Sequence, residues 1–112
     1  MADPTRSNAQ FDEIYRQLRR EYLAEADERL AELRADAAAF AAGQAEAIGS
    51  LKTRFHRLAG SGGSYGFPEI GRIAREAEQW IASGPARDGA AQARLAQAIH
   101  RLEEEFARAR DR

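Results

Sequence analysis

Apolar residues recur along the first part of the chain at Phe11, Ile14, Leu18, Tyr22, Ala26, Leu30, Leu33, Ala37 and Phe40. The steps are threes and fours, the period of one helix face, and charges such as Arg19, Glu28, Arg29 and Glu32 fill the opposite side. The pattern leaves open whether this is one long helix or two joined near Glu25. Gly43 is a C-terminal stop. A second stripe, Ile48, Leu51, Phe55 and Leu58, begins between Gln44 and Ser50, with Ser50 as a candidate N-cap, and dissolves into Gly60-Ser61-Gly62-Gly63-Ser64. Pro68 opens a third helix at a first-turn position, where its missing N–H costs nothing. That helix carries Ile70, Ile73, Ala74, Ala77, Trp80 and Ile81 on one face and ends at Ser83-Gly84-Pro85. A last helix shows Leu95, Ile99, Leu102 and Phe106.

Amphipathic helices joined by short connections predict an all-α, antiparallel four-helix bundle, with room for an extra short helix at the N-terminus. The bundle is expected to span residues 8–109 as one domain, with residues 1–7 and 110–112 as disordered ends. Composition supports the helical reading. Alanine, leucine, glutamate and arginine dominate, valine is absent, and the chain holds 112 residues, enough for one core.

Charge narrows the partners. Charged residues make up 31% of the chain, yet the net charge is −1, so there is no basic field to hold a nucleic acid backbone. The absence of cysteine excludes disulfides and thiolate metal sites. No stretch has the length and apolarity of a membrane span, and the polar start is unlike a signal peptide. The expectation is a cytoplasmic monomer with no nucleic acid and no membrane as partner.

His56 is the residue around which chemistry can be built. On its helix Leu51, Phe55 and Leu58 face the core, and His56 lies about 100° beyond Phe55, on the solvent side. Its surface neighbours at helical spacing are Lys52, Thr53, Ala59 and Gly60, with Gly63 one turn further on. Glycine inside a helix costs about 1 kcal/mol relative to alanine. A glycine beside an exposed histidine therefore suggests that something large must come close. His100 sits near Glu103 and Glu104 on the last helix and reads as a surface histidine. Trp80 and Tyr65 read as core or core-edge aromatics.

The string from Phe55 to Phe67, FHRLAGSGGSYGF, resembles the phosphorylation motif of histidine-containing phosphotransfer (HPt) domains, including the first domain of chemotaxis-type histidine kinases. The family pattern is a histidine, any residue, leucine, usually lysine, glycine and a small residue. A few positions later comes a glycine, with an apolar residue opening the next helix. His56, Leu58, Gly60, Ser61, Gly66 and Phe67 match, and the likeness extends over roughly residues 11–106. One residue departs from the pattern: the usual lysine is Ala59. Lys52, Arg57, Arg72 and Arg75 are the cations that could stand in for it.

The resemblance implies a phosphocarrier in a two-component phosphorelay and not an enzyme in its own right. The phosphoryl group would pass between His56 and an aspartate of a response-regulator receiver domain, with a histidine kinase further along the relay. Lys52, Arg57, Ala59, Gly60 and Gly63 would meet the partner. No cofactor is expected on this chain, and Mg²⁺ is expected on the receiver. Imidazole, with an ordinary pKa of about 6.5, is a competent nucleophile without a dedicated base. Two other classes remain open on the residues. One is an adaptor that binds receivers without taking phosphate. The other is a metal-dependent bundle enzyme using His56 and His100, for which two histidines are a thin ligand set. A purely structural bundle would give the exposed glycines beside His56 no purpose.

Overall fold

In the computed structural model, which describes residues 4–111 and side chains from residue 9 onward, five α-helices follow one another. They are α1 (Pro4–Ala24), α2 (Ala26–Ala41), α3 (Ala47–Ser64), α4 (Pro68–Ala82) and α5 (Gly89–Arg110). Helices α2 to α5 form the four-helix bundle, each packed on the next, with α5 closing the ring against α2. No strand occurs among the described residues, and no helix there is long and apolar enough to cross a membrane.

The long N-terminal stripe resolves into two helices. Only Glu25, itself in the helical region of backbone space, separates α1 from α2. The extra helix is 21 residues long, not short, because no glycine or proline interrupts the chain between Pro4 and Gly43. Tyr22, Ala26, Leu30, Leu33 and Phe40 are buried as the stripe requires. Phe11, Ile14 and Leu18 are not: Phe11 is 73% exposed. The molecule is 63 Å long, whereas a 22-residue helix such as α5 spans only about 33 Å. Phe11 and Ile14 of α1 therefore lie beyond the bundle, with no core among the described residues to cover them. At the two ends α1 begins at Pro4 and α5 continues to Arg110, whose guanidinium reaches the Leu23 carbonyl at 3.3 Å and Asp27 at 3.0 Å. Both helices thus extend into the stretches expected to be disordered. Residues 1–3 and 112 of those stretches lie outside the described residues.

The other boundaries follow from local chemistry. Gly43, at φ +78°, ends α2 as expected, with its own N–H on the Phe40 carbonyl and that of Gln44 on Ala39. Helix α3 starts at Ala47, one turn before the expected cap, and Ser50 instead donates its hydroxyl hydrogen bond to Asp36 of α2 at 2.7 Å. Pro68 opens α4, and the Asp88 carboxylate caps α5 by accepting from Ala91 N–H at 2.9 Å. The core is continuous: Phe40, Leu51, Phe55, Ile70, Ile81, Leu95, Leu102 and Phe106 are all fully buried, and no charged or amide side chain among the described residues is buried with them.

Candidate functional site

Helix α3 does not dissolve at Gly60; it continues through Gly62 and Gly63 to Ser64. The cause is its neighbour. A Cβ on Gly62 would lie 2.7 Å from the backbone nitrogen of Gly71 on α4, and one on Gly71 would lie 3.0 Å from the Ala59 carbonyl. Two glycines facing each other let the helix backbones touch, and that contact holds the glycine-rich turn helical. The helix then ends in a Schellman turn. Gly66, at φ +83°, donates to the Gly63 carbonyl at 3.2 Å, and Phe67 N–H donates to Gly62 at 2.8 Å. With Pro68 immediately after, the chain reverses sharply into α4.

This register brings a residue of α4 to His56. The imidazole is 75% exposed, and its Nδ1 lies 3.0 Å from Oε1 of Glu78, itself only 22% exposed. A carboxylate can only accept, so Nδ1 carries the hydrogen and donates it to Glu78. In the neutral ring the lone pair is then on Nε2, and the imidazole as a whole is open to solvent. Glu78 holds the ring in one tautomer and one orientation, the arrangement a nucleophilic histidine needs. Sequence reasoning missed Glu78. Its one signal is position: it follows Gly71 by seven residues on α4, and so lies on the same edge of that helix.

The residues expected around His56 fall into three groups. Lys52, Gly60 and Gly63 are exposed, and a Cβ on either glycine would have open space around it. Arg57 is also exposed, but it lines a shallow groove on the α2 side with Arg29, Glu32, Leu33 and Arg54. It lies away from the Glu78 edge. Ala59 needs correction. It is only 5% exposed, packed in the α3–α4 seam beside Gly71, so its side chain offers nothing to a partner.

Of the remaining cations, Arg72 is committed to Glu69 at 2.8 Å and Glu76 at 2.6 Å. Those contacts push its guanidinium pKa further up and hold the Glu69 carboxyl below its usual range, the hydrogen bond between the two leading in each case. Lys52, Arg57 and Arg75 make no ion pair among the described residues. His100 pairs with Glu104 at 2.7 Å on its own helix. No group of three or more potential metal ligands is gathered among the described residues.

Below the site, Ser61 shares a 2.9 Å hydrogen bond with the Tyr22 hydroxyl. Tyr22 stacks on Tyr65 and Phe67, with ring centroids 4.8 and 5.9 Å apart, and burial pushes its phenol pKa up. Tyr15 of α1 donates to the Ser64 carbonyl at 2.9 Å. The small residue of the motif at position 61 thus ties α1 to the end of α3. Trp80 lies at the core edge with Arg94 over its ring.

Neither a curated protein nor a solved structure matches the chain significantly. The family model of the Hpt domain matches residues 17–112, which take in both His56 and Glu78. The chain therefore belongs to the Hpt domain family.

Proposed function

We propose that the protein is a phosphocarrier whose phosphoacceptor is Nε2 of His56. Membership of the Hpt family ties the chain to histidine phosphotransfer in phosphorelay signalling. The observation that carries the finer reading is the Glu78 contact, which leaves one nitrogen free and exposed. In the proposed step the Nε2 lone pair attacks the phosphorus of an aspartyl phosphate. The N–P bond forms as the P–O bond to the aspartyl carboxyl breaks, and a free carboxylate departs. The ring gains positive charge, which the Glu78 carboxylate offsets while it holds the Nδ1 hydrogen. The reverse step returns the phosphoryl group to a carboxylate. Such transfers depend on in-line positioning and charge neutralisation more than on covalent help.

Docking would use the open edge of α3. His56, Gly60 and Gly63 follow each other at steps of four and three residues, forming a low ridge that leads to Ser64 and to Tyr15 of α1. Beyond Tyr15 lie the exposed Ile14, Leu18 and Phe11. Four large apolar side chains exposed on one helix mark an interaction surface, and this one adjoins the ridge. A receiver domain seated over His56 would cover both, with Lys52 and Arg57 as exposed charges that steer its approach.

The test is incubation with a panel of phosphorylated receiver domains, scoring acid-labile, base-stable label. Wild type is expected to take label and His56→Gln to take none, with unchanged helical circular dichroism. Label on the variant would remove His56 from the role. Binding of receivers with no transfer to wild type would make the protein an adaptor. The reading leaves Mg²⁺ to the receiver, so labelling by phosphoramidate, which involves no receiver, is expected to survive a chelator.

A further inference from the structure

Ala59 stands where the family has its lysine, and its side chain is buried. If His56 carries a phosphoryl dianion, as the reading above holds, a cation is missing from the place where the family supplies one. We infer that Arg75, on the facing helix, fills that place and holds the phosphoryl group on His56.

The register of α4 against α3 places Arg75 there. Residues at steps of three and four share one edge of a helix. On α4 such an edge runs Gly71, Arg75, Glu78. Both flanking members are fixed against α3. Gly71 sits where its Cβ would touch the Ala59 carbonyl at 3.0 Å and the Gly63 nitrogen at 3.2 Å. Glu78 touches His56 at 3.0 Å. Arg75 lies between them, about 4.5 Å along the helix from Glu78, opposite the turn of α3 that contains Ala59 and Gly60. The ground there is open. Arg75 is exposed, and a Cβ on Gly60 would meet nothing within 4 Å.

The other cations are less well placed. Arg72 is held by two glutamates. Arg57 lines the groove on the α2 side. Lys52 is on the same edge of α3 as His56 but one turn in the other direction, away from the docking ridge. Arg75 is exposed and makes no ion pair among the described residues. A guanidinium also suits the task chemically, because its planar fork grips two phosphoryl oxygens at once. Glu78 and Arg75 would then divide the work across one turn of α4. The carboxylate sets the ring from the Nδ1 side, and the guanidinium receives the charge that arrives at Nε2. Arg75 thus meets the phosphoryl group itself, and it replaces the absent lysine from a different helix.

The test uses the whole chain labelled with phosphoramidate, whose P–N bond to ammonia breaks as the bond to Nε2 forms. Phosphorus NMR then follows the second ionisation of the phosphoryl group. A nearby cation favours the dianion, so Arg75→Ala is expected to raise that pKa by roughly half a pH unit and to slow labelling by roughly tenfold. Arg75→Lys should restore most of both, and Lys52→Ala should leave the phosphoryl pKa where it is in wild type. An unchanged pKa in Arg75→Ala, or a shift that appears in Lys52→Ala instead, would overturn the assignment. If wild type takes no label from phosphoramidate or from any receiver, the phosphocarrier reading itself fails and this inference falls with it.

Discussion

Along one helix, α3, glycine is used in two opposite ways. At Gly62, facing Gly71 across the seam with α4, there is no room for a methyl group; the nearest backbone atom would be 2.7 Å from it. At Gly60 and Gly63 the same methyl group would meet open space. The first pair of glycines sets the distance between two helices and so delivers Glu78 to His56. The second pair keeps the ground beside His56 low, which on the proposed reading leaves room for a partner. A side chain added at the first pair would strain the fold; on the proposed reading, one added at the second would obstruct the partner. On that reading the glycines of the motif meet two separate requirements, one of packing and one of access, interleaved at neighbouring positions.

Substitutions can pull the two apart. The largest loss of stability is expected in the seam. Gly62→Ala or Gly71→Ala forces backbone against backbone, and overpacking of this kind typically costs about 1–3 kcal/mol. Urea unfolding measures it, and a variant as stable as wild type would show that the seam is looser than described. His56 should lose its Glu78 contact in the same variants, which a shift of its imidazole NMR signals would report.

Gly60→Gln should do the reverse. A better helix former replaces glycine on an open face, so stability should rise by up to about 1 kcal/mol, while transfer from a phosphorylated receiver falls roughly tenfold or more, equivalent to about 1.4 kcal/mol. Labelling by phosphoramidate should persist in this variant. Transfer from the receiver at the wild-type rate would mean that the docking face lies elsewhere. Smaller still is the expected effect on the α1 strip. Leu18→Gln removes one exposed apolar contact and should weaken receiver binding a few-fold, by about 1 kcal/mol, with no loss of helical signal. His100→Gln, which breaks only a surface pair with Glu104, should change neither stability nor transfer by more than about 0.5 kcal/mol.

The division between seam and shelf was only half legible in the sequence. Periodicity found the buried stripes of α3, α4 and α5, including Leu51, Phe55, Ile70, Ile81, Leu95 and Phe106, because those stripes have a neighbour along their whole length. It misjudged Phe11, Ile14 and Leu18, because a stripe in sequence carries no information about where the opposing helices stop. The exposure and isolation of His56 on its wheel were readable. Which of Gly60, Gly62 and Gly63 packs and which stays open was not, since that depends on α3 remaining helical past Gly60. The glycine run argues against such a continuation locally, and the contact with Gly71 enforces it. For the same reason the helical wheel puts Ala59 on the surface, whereas it belongs to the seam. Glu78 escaped notice because its role comes from the pairing of two helices, and nothing in its own neighbours distinguishes it from the other glutamates of α4.

On the proposed reading Glu78 leaves Nε2 of His56 as the nucleophile. Labelling the protein with ¹⁵N-histidine, phosphorylating it, and reading by NMR which ring nitrogen couples to phosphorus decides this. Coupling at Nε2 of His56, with the hydrogen retained on Nδ1, is the result the account requires. A phosphoryl group on Nδ1, or on His100, would contradict it.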